Sequence, residues 1–394
     1  TTVYSSSGII GLGNEAVNIT DNHTLTQLKT INNATSGTIT LNDYSVALNG
    51  STADLKAALA GSFASTYTGN LVLNDANGTD IAAADISTIA GATTGTVTVS
   101  NNINITGTSE AIATAVGNVD TFAGTSTATL GDAHTLAQLK TINNAISGTI
   151  TLNDVTVALS GSSADVAAAL AGNFTSSYTG IVTITNADYT VAQLKAINNA
   201  TTGVILLDAA TTALSGSASD LVLAFAGTVT EHTGTVTITN ADYTVAQLKA
   251  INNATTGAIT LSTTNTALTG TAADLVLAFA GTVTEHTGNV TITDTPTDAQ
   301  LALIDAATTG TITYSEGGSG GGGGGNNDAI TGTVAEVIET LESKSSDYSG
   351  TITITDADDT SISSTNLSTI GAATTGTVTV TNAIAITGTT AEMI

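Results

Sequence analysis

The residues Asn186–Gly203, NADYTVAQLKAINNATTG, return without a change as Asn240–Gly257. A second block, DLVLAFAGTVTEHTG, runs from Asp220 to Gly234 and again from Asp274 to Gly288. Both shifts are 54 residues. A chain built this way does not close one ordinary core. Each repeat has to bury its apolar face on its neighbours, which predicts stacking.

A finer unit lies inside the repeat. Most units open with glycine and a short alternating run, such as GTITL at Gly37, GTVTV at Gly95 and GTVTIT at Gly234. Unit starts fall near 13, 37, 69, 95, 124, 148, 180, 203, 234, 257, 288, 310, 350 and 376, so lengths alternate between short (22 to 26) and long (29 to 40). In the short unit from Gly234, Val236 and Ile238 point one way and Thr235, Thr237 and Thr239 the other, which is the period of a strand. Thr244 then predicts a helix N-cap, and VAQLKAINNA a helix with Val245, Leu248 and Ile251 on one stripe, ended by Asn252 and Asn253. Long units add a second extended piece, TALTG in the unit from Gly257, before a helix that Thr271 and Asp274 open as a capping box.

Strand, helix and strand running in one direction imply a parallel sheet with right-handed crossovers. The predicted fold class is an α/β solenoid: tandem strand–helix repeats that stack a parallel β-sheet with helices alongside, in alternating short and long coils. It spans residues 1–394 as one array of about 14 units. Stacked strands rise about 4.8 Å, whereas packed helices need about 8–10 Å. The extra piece of the long units predicts a second row of helices that relieves this mismatch. The final unit matches the one at Gly95 and stops where its helix would begin, which reads as a window on a longer protein.

Composition agrees with a narrow core. Aromatic residues are 3% of the chain and Trp and Cys are absent, yet hydrophobic residues reach 41%, too many for disorder. Six basic residues face 32 acidic ones, a net charge of -26. Nucleic acid and anionic membrane surfaces are therefore unsuitable partners. No apolar run is long enough to span a membrane. Such acidity keeps a protein soluble where salt screens it, as in salty surroundings outside the cell.

Little here suggests chemistry. No nucleophile stands beside a base, and no pair of carboxylates marks a cleft, so the chain does not read as an enzyme. GGSGGGGGGNND, residues 317–328, lacks the Lys and Ser/Thr of a phosphate loop and reads as a flexible insertion. His23, His134, His232 and His286 read as solvated turn residues, each too isolated for a zinc site. Calcium is the one cofactor suggested, since it takes oxygen ligands. Its candidates are Asp356, Asp358 and Asp359, with Asp188 and Asp242 in the repeat. The outward threonines of the strands predict ladders, the kind of array an ice-binding surface needs. Sequons such as Asn199–Thr201 are common in a chain so rich in Asn and Thr.

The segments NADYTVAQLKAINNATTG and ALTGTAADLVLAFAG resemble repeats of giant secreted surface proteins of marine bacteria, of the cyanobacterial type and loosely of the hemolysin-type calcium-binding group. The resemblance implies a secreted, extended surface or filament component. The expectation is an extracellular structural protein of a filament, surface layer or giant adhesin. Its partners would be copies of itself or further repeats of the same chain, end to end. The alternatives are a viral or phage fibre, or a surface module that binds calcium, glycan or ice.

Overall fold

The computed structural model describes residues 3–4, 9–122, 124–314, 329–342 and 348–393. The glycine-rich run 317–328 lies outside them. The chain is α/β, with short parallel strands in small sheets and a helix after most strands. It divides into two units: Thr1–Val236 with Ala254–Gly257, and Thr237–Asn253 with Ala258–Ile394.

In the first unit the helices are α1 (Leu25–Ala34), α2 (Thr52–Leu59), α3 (Ala83–Gly91), α4 (Ser109–Gly117), α5 (Leu136–Ala145), α6 (Ser163–Leu170), α7 (Val191–Ala200) and α8 (Ala218–Ala224). Helices α1, α5 and α7 share one opening. A threonine caps the N-terminus, and a glutamine three residues on reaches back to it, as with Thr190 and Gln193. Leu28, Leu139 and Leu194 from these helices are fully buried.

The strands form parallel ladders. Leu48–Gly50, Leu71–Leu73, Val97–Val99 and Thr121–Phe122 make one, and Leu159–Gly161, Val182–Ile184 and Ile205–Leu207 another. In the second, Val182 and Ile184 are buried and Thr183 between them is half-buried, as the period-2 reading requires. The glycines that open the strands have a steric reason. A Cβ on Gly203 would stand 2.0 Å from the Gly180 carbonyl oxygen, and one on Gly257 1.8 Å from that of Gly234. Backbones stacked this closely leave no room for a side chain.

The expected second row of helices is not what forms. Consecutive helices of the first unit pack on one another from α1 to α8. The mismatch of rise is met differently. Ladder partners lie 22–26 residues apart, as with Val17 and Ile39 or Leu71 and Val97, whereas successive helices begin 26–31 residues apart. Each helix therefore gains a few residues on the strands. The extra extended piece of the long units serves this drift. Leu48–Gly50 and Leu159–Gly161 each open a new ladder.

The second unit repeats the scheme. Its helices are α9 (Val245–Ala254, apart from the last residue), α10 (Ala272–Ala278), α11 (Asp298–Ala307), α12 (Val334–Glu342) and α13 (Ser364–Ala372). Val245, Leu248 and Ile251 are buried as the stripe predicts. Thr244 caps the helix, receiving the Gln247 amide at 3.2 Å, and the helix is the ten residues VAQLKAINNA, with Asn252 and Asn253 in its last turn. Leu268–Gly270, Val290–Ile292 and Ile312–Tyr314 form one parallel ladder, and Ile330–Gly332, Ile352–Ile354 and Val378–Val380 another. Ile352, Ile354 and Ile370 are buried among Val334, Val337 and Tyr348.

Candidate functional site

Most polar side chains that the sequence offers for chemistry are used as rungs between neighbouring helices. Lys29 pairs with Asp54, Lys56 with Asp85 and Lys140 with Asp165; Lys195 reaches Asp220 at 2.6 Å and Lys249 reaches Asp274 at 2.5 Å. Four of these aspartates are in the first helical turn and sit 25 residues beyond their lysine. The lysine ammonium holds each of Asp54, Asp165, Asp220 and Asp274 below the usual carboxylate range. Asp274 therefore completes only half of the expected capping box. Its backbone amide donates to Thr271 Oγ1 at 3.2 Å, while its carboxylate faces Lys249.

Asparagines add a second rung. The Nδ2 groups of Asn32, Asn143 and Asn198 donate to the carbonyls of Ala57, Ala168 and Leu223, near the C-terminus of the following helix. Those carbonyls have no partner within their own helix, so the rung satisfies them.

The calcium candidates are placed in this scheme. Asp356 Oδ2 accepts from the Val334 amide at 2.7 Å and caps the start of α12. Asp75, Asp132, Asn186 and Asp294 do the same for Thr52, Ser109, Ser163 and Ala272. Asp358 Oδ1 accepts from the Ala383 amide at 2.9 Å, and Asp359 is in the left-handed region at φ 62°. Asp188 and Asp242 accept from Asn186 and Asn240 at 2.5 and 2.6 Å. The structure brings no three of these carboxylates together. Among the described residues no group of three or more His, Cys, Asp or Glu could hold a metal ion.

The histidines correct the turn reading. His23, His134, His232 and His286 are all buried. His23 and His134 place Nε2 3.3 Å from the hydroxyls of Tyr67 and Tyr178, and those hydroxyls donate to the Val46 and Val157 carbonyls at 2.5 Å. Nδ1 of both histidines is buried without a partner. His232 and His286 instead donate Nε2–H to the carbonyls of Thr212 and Thr266 at 2.7 and 2.9 Å. Burial pushes all four imidazoles below their ordinary pKa. One sequence signal carries this burial: His134 stands in the repeat where Tyr189 and Tyr243 stand, and His232 where Tyr178 stands. A position that exchanges His for Tyr is an aromatic core position.

Two surface features remain. Thr269, Thr291 and Thr313 pair in register and are all exposed, which is the expected threonine ladder, three rungs long. In the first unit an open cleft of about 410 Å³ lies between the segment Leu170–Tyr178 and α7. Phe174 and Ala196, with Leu170, Ala171 and Ala200, form its apolar part, and Asn173, Ser176, Ser177, Tyr178 and Asn199 its polar part, with no charged group. No helix among the described residues is long and apolar enough to cross a membrane. Compared with known proteins, the chain matches no family model and no curated protein.

Proposed function

We propose that this chain is a structural repeat protein, a stretch of extended solenoid in an extracellular filament, surface layer or large adhesin. One observation carries the reading. Four of the lysines, the helix-end asparagines and the post-strand carboxylates recur at separations of 22 to 25 residues, and each bonds a neighbouring repeat. Polar groups used to hold neighbours in register serve length and not turnover. The acidity of the chain suits a salty exterior, where screening weakens its self-repulsion.

Further repeats or other copies of the chain would join end to end.

Solution scattering tests the reading. Stacking at about 4.8 Å per level gives a rod on the order of 80 Å long, against about 55 Å across for a compact globule of this length. A particle of the smaller dimension would overturn the proposal. Surface labelling of intact source cells tests the location.

A further inference from the structure

We propose that the cleft beside α7 is a binding site for a neutral saccharide residue. The chemistry of its lining narrows the ligand. Every polar side chain there is an amide or a hydroxyl: Asn173, Ser176, Ser177 and Asn199, with Tyr178, whose hydroxyl is committed to the Val157 carbonyl. None of its lining residues is Asp, Glu or Lys. It offers nothing to pair with a cation or an anion. Amides and hydroxyls both donate and accept, which matches the dual character of sugar hydroxyls.

Three of these groups are also available, while Asn173 Nδ2 donates to Thr149 Oγ1 at 3.4 Å. Among the described residues the side chains of Ser176, Ser177 and Asn199 make no hydrogen bond, in contrast to the neighbouring Asn198, which is committed to the Leu223 carbonyl at 2.8 Å. Phe174 supplies an apolar ring against which the carbon face of a pyranose can lie. The volume of about 410 Å³ falls in the usual range for small-ligand sites. The open side suits one residue of a longer glycan better than an enclosed cofactor.

The internal repeats supply a comparison. The two loops that follow in the sequence read AGTVTEHTG, at Ala226–Gly234 and Ala280–Gly288, where the cleft loop reads AGNFTSSYTG. They are one residue shorter, with Val in place of Phe174 and a glutamate near the place of the serines. The helix VAQLKAINNA is identical in α7 and α9. Asn253 thus repeats Asn199 on an unchanged helix, in a repeat whose loop lacks the ring and carries a charge.

The test is a glycan array probed with the purified 394-residue chain, followed by calorimetric titration with the neutral mono- or oligosaccharide that scores highest. Binding is expected for a neutral sugar, and addition of a sialic acid at the bound residue should not strengthen it. Asn199→Ala and Phe174→Ala should each weaken binding about three- to tenfold, the scale of a lost hydrogen bond or ring contact. Asn253→Ala should leave affinity unchanged. Unaltered melting curves for all three variants establish that they fold. No neutral sugar bound at millimolar concentration, or binding indifferent to both substitutions, would overturn the proposal. The site does not depend on the rod: scattering reports the rod without any ligand, so either reading can fail alone.

Discussion

His134 Nε2 lies 3.3 Å from the hydroxyl of Tyr178, a residue 44 positions along the chain, and His23 stands in the same relation to Tyr67. The tyrosine hydrogen is committed to a carbonyl, so the imidazole carries its proton on Nε2 and leaves Nδ1 bare and buried. A second proton would place a charged N–H where no acceptor waits.

This gives a pH dependence with a definite sign. Burial depresses the folded pKa of His134, more than the nearby Asp154 and Asp132 raise it, while in the unfolded chain it titrates near its ordinary value of about 6.5. The unfolded state therefore binds more protons as the solution acidifies. Stability should be full above about pH 6.5 and decline as pH falls through the depressed folded value. Melting curves between pH 7.5 and 5 read this directly, and His134→Gln should flatten the slope. The lowered aspartates lose their stabilisation only in more acid solution, below their ordinary value near 3.8, so the two windows separate.

Glycine contacts predict a contrast within one residue type. Gly257→Ala forces a Cβ to 1.8 Å from a backbone oxygen and should destabilise by about 1–3 kcal/mol or more. Gly91→Ala, at the end of α3 with nothing within 4 Å, should be neutral or stabilising by up to about 1 kcal/mol. Denaturant titration of both variants checks the pair.

Asn186 accepts the amide of Ser163 at 2.7 Å from one level further along the stack. Asn186→Ala should cost about 0.5–2 kcal/mol, the value of a helix N-cap, with the loss seen as faster amide exchange at the start of α6. If exchange rises uniformly instead, the cap does not act locally.

Lys195→Met breaks an ion pair whose partners are roughly one-third to two-fifths exposed. A small drop in melting temperature is expected at low salt and none at 1 M salt, because exposed pairs are screened. A drop that persists at high salt would point to lost packing of the lysine stem.

Chelator and excess calcium should leave the melting curve unchanged. Asp356 and Asp358 each serve a different backbone amide, and among the described residues no third carboxylate joins them. A rise in melting temperature with calcium would show that the two groups rearrange around an ion.

Much of this architecture is legible in the residues. Strand alternation at Val236 and Ile238 and the stripe Val245, Leu248, Ile251 both state which face is buried, because burial follows local period. The drift of helices against strands is not legible. It depends on which strand pairs with which, and the segment TALTG looks the same whether it leads a helix aside or opens a ladder. His232 misleads for another reason: set among Thr, Glu and Gly it reads as turn chemistry, and only alignment with Tyr178 exposes its burial. The rungs were half visible. Lys and Asp recur, but their pairing across 25 residues belongs to the stack and not to any one helix.

The unequal spacing of helices and strands in the first unit has a consequence for recognition. Strand starts and helix starts fall out of step: Leu48 opens its strand four residues before α2 begins at Thr52, whereas Val97 opens its strand twelve residues before α4 begins at Ser109. A partner that reads the strands and a partner that reads the helices would therefore count this unit in different steps.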